Sequence, residues 1–213
     1  MKFTIFMFLF SMICLAPSYV SGQEKGDHLL PVDDAFNLYE WQAEYFSNIR
    51  NLLFEQGFSL ARIRILSLPA FGKERSLEVT WSRSKESGYI IKRVPKERIW
   101  QHEDPDSISV DQYIIEINRS DYELLYELFK RSVNKTRYQG GGTKGLDGYR
   151  VYFMVWDGGW KSGQTWSPKG GTKMKRLVDI YQELSKQTEE EKSPLIISDS
   201  LYRHIENLEK EFE

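Results

Sequence analysis

Two short stretches with a period of two decide most of what this chain can fold into. Ala61, Ile63 and Ile65 alternate with Arg62 and Arg64, and Leu77, Val79 and Trp81 alternate with Glu78, Thr80 and Ser82. An extended strand points successive side chains to opposite faces, so this pattern predicts strands with one face buried. Pro69 and Gly72 interrupt the chain between them, and Ser84 to Gly88 turns it into a third run, Tyr89 to Val94. Strands joined by such short connections are expected to pair as an antiparallel meander. After a polar loop, 101–109, containing Pro105, the run Val110 to Ile117 predicts a fourth strand.

Helical spacing brackets this sheet. Leu38, Trp41, Tyr45, Ile49 and Leu52 recur on one helical face, with Asp33 and Asp34 before them and Gly57 after. Ser120 and Glu123 match a capping box ahead of Tyr122, Leu125 and Phe129. Met174, Leu177, Val178, Tyr181 and Leu184 form a stripe beginning near Thr172, and Leu201, Ile205, Leu208 and Phe212 form another from Ser198, with a charged spacer at 188–192 between them.

Tyr149 to Trp156 is the most apolar strand, and Gly158-Gly159 supplies a tight turn into a return strand, Trp160 to Trp166. The expectation is an α+β fold, a mostly antiparallel sheet of five to six strands with helices packed on one face. We expect residues 1–22 to be a leader, 23–32 a flexible tail, and 33–213 a single domain.

The leader reading rests on Lys2, the apolar run Phe3 to Ala16, and small residues at Ser21 and Gly22, after which cleavage is expected. That run is shorter than the roughly 20 apolar residues a membrane span requires, so no stable membrane anchor is expected after cleavage. Cys14 is the only cysteine and lies inside the leader. A thiol-free exported chain excludes disulfide, thiolate-metal and cysteine-nucleophile chemistry, and fits a periplasmic or extracellular bacterial protein with a core large enough to fold unaided.

The formal net charge is −2, with both signs interspersed, which argues against nucleic acid as a partner. The segment Gly140-Gly141-Gly142-Thr143-Lys144-Gly145 lacks phosphate-loop spacing and precedes a strand, so it reads as a loop. Gly159-Trp160-Lys161-Ser162-Gly163 is one residue out of register for a nucleophile elbow. His102 has Glu103, Asp104 and Asp106 beside it but no second histidine at metal-ligand spacing, and Asp147, Asp157 and Glu116 are carboxylates open to acid–base work. His28 falls in the tail, and His204 flanks a helix interface. No cofactor and no metal site is expected.

The block Thr136-Arg137-Tyr138, Leu146-Asp147-Gly148, Gly163-Gln164-Thr165-Trp166-Ser167-Pro168 and Leu177-Val178 resembles a pattern in exported bacterial proteins without an assigned activity. It covers less than a quarter of the chain. The resemblance implies export and a turn leading into a helix, and it transfers no catalytic residue.

The hairpin Trp156 to Trp166 is the candidate ligand surface. Trp156, Asp157, Trp160, Gln164 and Trp166 combine ring faces with polar groups that could hold a sugar or peptide. Against this, cross-strand aromatic pairs stabilise a hairpin by themselves, and a tryptophan at a sheet edge is often core. Two functions follow as expectations. The first is an exported, non-catalytic protein that binds a protein or glycan of the cell envelope. The alternative is a cell-envelope hydrolase using carboxylates with His102.

Overall fold

The computed structural model describes residues 27–32, 40–54, 61–138, 148–190 and 194–213. The expected leader, Leu38, Gly57, the 140–145 segment and Asp147 lie outside the described residues. Among these residues seven strands form one antiparallel sheet: β1 (Leu30–Pro31), β2 (Ala61–Pro69), β3 (Arg75–Ser82), β4 (Ser87–Pro95), β5 (Val110–Ile117), β6 (Tyr149–Trp156) and β7 (Trp160–Trp166). Four α-helices accompany them among the described residues: α1 (Glu40–Leu53), α2 (Arg119–Asn134), α3 (Lys173–Glu190) and α4 (Asp199–Lys210). The fold class is α+β.

The strand order is β1-β7-β6-β2-β3-β4-β5. The meander β2 to β5 forms first along the chain, and the later β6–β7 hairpin docks on the free edge of β2, with Ile65 opposite Phe153 and Leu66 opposite Tyr152. The seventh strand, β1, is two residues long and ends in proline, so no periodicity announced it; it pairs Leu30 with Gln164.

The sheet is covered on both faces. Ile63, Ile65, Leu77, Val79, Val151, Phe153 and Val155 meet Leu125, Phe129, Leu177, Tyr181, Ile205 and Leu208 from α2, α3 and α4. The rings of Phe129 and Phe153 stack there with centroids 5.7 Å apart. On the opposite face Leu66, Tyr152 and Met154 meet Phe46, Ile49 and Leu53 of α1 together with Ile99 and Ile108. Three helices therefore share one face as expected, and α1 takes the other. The physical reason is visible in β6, where Val151 to Val155 are all buried, as a strand sandwiched between two layers must be.

The expected tail is corrected for residues 27–32. Leu29 is fully buried in the larger core, and the Asp27 carboxylate accepts the N–H groups of Lys173 (2.8 Å) and Met174 (3.0 Å), which α3 cannot satisfy internally. Two helix ends also differ from expectation. Asn118, not Ser120, caps α2, its side-chain oxygen accepting the Asp121 N–H, while the Ser120 hydroxyl donates to that same oxygen. Thr188 to Glu190 belong to α3 rather than to a spacer, with Thr188 buried and donating to the Leu184 carbonyl.

Candidate functional site

Glu74 organises one wall of a cavity at the end of β2. Its buried carboxylate, at the entrance to β3, accepts the N–H groups of Ile99 (2.9 Å) and Trp100 (3.0 Å) and the Tyr45 hydroxyl (2.9 Å). One acidic side chain thus joins α1, β3 and the segment after β4. It holds Tyr45 and Trp100 edge to face, with ring centroids 4.8 Å apart. Burial, reinforced by the adjacent Glu74 carboxylate, raises the Tyr45 hydroxyl far above its ordinary range, so it stays a proton donor to that carboxylate.

These two rings form one wall of a cavity of about 230 Å³. Leu68, Pro69 and Ala70 from the end of β2, Arg150 and Tyr152 from β6, Trp166 from β7, and Arg98 complete it. Trp166 lies opposite Arg150 across the β6–β7 ladder. Its indole packs directly on Gly148, where a Cβ would stand 3.0 Å from Trp166 Cζ2 and 2.1 Å from Ser167 Oγ. Gly148 also has φ +141°, a conformation that side chains rarely adopt, so both space and backbone demand glycine there. Ser167 closes the corner by accepting the Tyr149 N–H at 3.0 Å.

The two guanidiniums are held by neutral partners. Arg98 donates to the Ala70 carbonyl (3.2 Å) and Arg150 to the Tyr152 hydroxyl (3.2 Å). Among the described residues neither forms an ion pair with a carboxylate. An arginine presents five N–H donors in a planar fork suited to carboxylate, sulfate or phosphate. The cavity therefore offers two positive forks within aromatic walls, an arrangement chemically suited to an anionic group attached to an apolar or ring-bearing body.

The hairpin residues singled out from the sequence divide between three places. Trp166 reaches the cavity. Gln164 donates to the Pro31 carbonyl at 3.1 Å and serves to hold β1. Trp156 and Trp160 pack edge to face at 5.7 Å at the other end of the hairpin, where Arg64 lies 4.9 Å over the Trp160 ring and 5.3 Å from that of Phe54. Trp160 is 44% exposed and faces away from Leu177, which sits in the core of the opposite face. Asp157 occupies the hairpin turn, 2.9 Å from Lys161 Nζ, and the ammonium's hydrogen bond holds its carboxyl below the usual range. Six residue steps of extended strand, roughly 20 Å, separate Trp160 from Trp166, so the five cannot grip one small ligand.

His102 bonds Glu97 (3.3 Å) and accepts the Asp104 N–H (3.1 Å) within its own loop. It follows Trp100, at the end of the sheet where β6 begins, whereas Asp157 follows the end of β6; the fold does not bring them together. No group of three or more His, Asp or Glu among the described residues converges on a point that could hold a metal. Tyr45, Arg98, Trp100 and Arg150 were missed in the sequence. The available signal was Arg150, a charge inside an otherwise apolar strand.

Comparison with family models, with curated proteins and with solved structures finds no match to this chain. No helix among the described residues is long and apolar enough to cross a membrane.

Proposed function

We propose that this chain is an exported, non-catalytic binding protein, and that its ligand enters the Tyr45–Trp100–Trp166 cavity with an anionic group between Arg98 and Arg150. The carrying observation is a pair of guanidiniums in one aromatic cavity, each held by a neutral oxygen rather than a carboxylate. Export is supported by the leader-like residues Met1 to Gly22. A protein or glycan component of the cell envelope bearing a carboxylate fits both the compartment and the lining. The hydrolase reading gains no support from His102 and Asp157, which occupy opposite ends of the sheet.

Trp100 and Trp166 make intrinsic fluorescence a direct readout. The purified protein is titrated with panels of acidic and neutral peptides and glycans, alongside Arg98→Gln and Arg150→Gln. The expected result is saturable binding of an acidic compound that weakens at least about tenfold in each variant, the loss appropriate to one charge-assisted contact. A ligand bound equally well by all three proteins, or no saturable ligand in either panel, would overturn the proposal.

A further inference from the structure

A second cavity lies on the other face and at the other end of the sheet, and nothing about it depends on the first. It measures about 620 Å³ and is framed by the start of β2, the β3–β4 turn and the first turn of α2. Arg62, Arg83 and Arg119 line it, with Trp81 and Tyr122 as its apolar wall; among its described lining residues Glu123 is the one carboxylate, and the charge of Glu86 also reaches Arg119.

The local backbone explains how the three arginines converge. Strict alternation in β2 would send Arg62 to the α1 face beside Arg64. The register shift between Ala61 and Ile63 breaks that alternation, and Arg62 lines the cavity together with Trp81 and Tyr122. Its proximity is also felt by the Tyr122 hydroxyl, which burial raises and the Arg62 charge opposes. Arg119 is the first residue of α2, where the positive end of the helix dipole adds charge of the same sign. It lies 6.0 Å from the Trp81 ring and bonds Glu123 at 2.7 Å.

The charge count is unbalanced. Glu123 answers Arg119, while Arg62 and Arg83 form no ion pair with a carboxylate among the described residues. The hydroxyls of Ser82 and Ser84, 3.2 Å apart, stand at the same rim. Two free forks and two hydroxyls call for a compact group with several acceptor oxygens and two negative charges, or one oxyanion with three acceptors. The cavity is larger than an inorganic ion needs, leaving room for a sugar-sized body against Trp81 and Tyr122.

The geometry points to a second binding site, formed by Arg62, Arg83 and Arg119 beside Trp81, for a phosphate or sulfate ester carried on a sugar. The two esters share the oxyanion that the arginines recognise, and the experiment separates them.

The purified protein is titrated calorimetrically with glucose 6-phosphate, glucose 6-sulfate and glucose, together with the variants Arg62→Gln, Arg83→Gln and Arg150→Gln. The expected result is saturable binding of at least one ester and none of glucose up to roughly 10 mM. The preferred ester identifies the source of the oxyanion. Arg62→Gln and Arg83→Gln should each weaken that binding at least about fivefold, with unfolding midpoints unchanged, and Arg150→Gln should leave it intact. Equal binding of esters and glucose, no binding of either ester, or a loss produced by Arg150→Gln but not by Arg62→Gln or Arg83→Gln would each overturn the inference. The last outcome would assign the anion to the other cavity, and so separates the fate of the two sites.

Discussion

Arg64 Nε lies 2.9 Å from Glu78 Oε1, and on its other oxygen the same carboxylate is met by Arg93 at 2.5 Å. Glu78 is 1% exposed and Arg93 nearly as buried, so this Arg–Glu–Arg triad sits inside the sheet beneath α1. Arg93 also donates to Gln112 and to the Leu53 carbonyl, joining β3, β4 and β5 to the end of α1. Replacing Glu78 by Gln removes the charge that compensates a buried guanidinium, and such losses cost about 3–5 kcal/mol. Urea denaturation of Glu78→Gln should show a lower midpoint with an unchanged slope; a change under roughly 1 kcal/mol would show the triad to be dispensable.

Leu29 makes the stability of the domain depend on the segment before the first long strand. Its side chain is fully buried, and a Cβ on Gly163 would stand 2.7 Å from Leu29 Cβ, so Leu29 packs on the β7 backbone more closely than any side chain at position 163 would permit. Leu29→Ala is expected to cost about 2–5 kcal/mol by cavity formation. Asp27→Ala should cost about 1 kcal/mol, because two N–H groups of α3 lose their acceptor. Proteolysis near residue 30 in the native protein, with no loss of midpoint, would contradict both expectations.

Gly148→Ala should disturb the first cavity specifically. The added methyl meets Ser167 Oγ at 2.1 Å in a backbone conformation with φ +141°, so the corner holding Trp166 must shift. A strained backbone of this kind costs of order 1–3 kcal/mol. The checks are the unfolding midpoint and the emission maximum of Trp166 in a protein whose other tryptophans are replaced by phenylalanine. An unmoved maximum would show that the indole does not rest on Gly148.

His28 gives the molecule a pH dependence near neutrality. Burial and the nearby Arg137 charge lower its pKa below the ordinary 6.5, and its buried Nε2 has no hydrogen-bond partner. A histidine whose folded pKa is depressed contributes stability that is present above pH 6.5 and lost as pH falls through the lower folded value. The wild type should therefore lose stability on acidification from pH 7 to pH 5 relative to His28→Gln, which does not titrate. Parallel pH profiles for the two proteins would remove His28 as the cause.

The elements were legible because their signals are local. Six of the seven strands and the two C-terminal helices follow from spacing within ten or so residues, and Ser198 caps α4 as its position suggests, accepting the Leu201 N–H at 3.3 Å. What escaped was set by partners far along the chain. Leu30 and Pro31 become a strand only because β7 presents Gln164 and Gly163 to them. The unbroken apolar run of β6 did contain the information that both its faces are covered, and alternation alone does not report it.

The candidate site followed the same division. Trp166 was found because tryptophans concentrate in one hairpin, yet the two ends of that hairpin serve different surroundings. Arg98, Arg150 and Tyr45 carry no mutual spacing, since they arrive from the segment after β4, from β6 and from α1.

By itself, then, the order of residues determined where the chain turns, which segments extend or coil, and that the sheet is antiparallel, since each depends on interactions between near neighbours. The docking of β6 on β2 decided which faces are covered and which arginines share a cavity. That docking depends on burying Ile65, Leu66, Tyr152 and Phe153 against one another across more than eighty residues of chain, and no local pattern encodes so distant a contact.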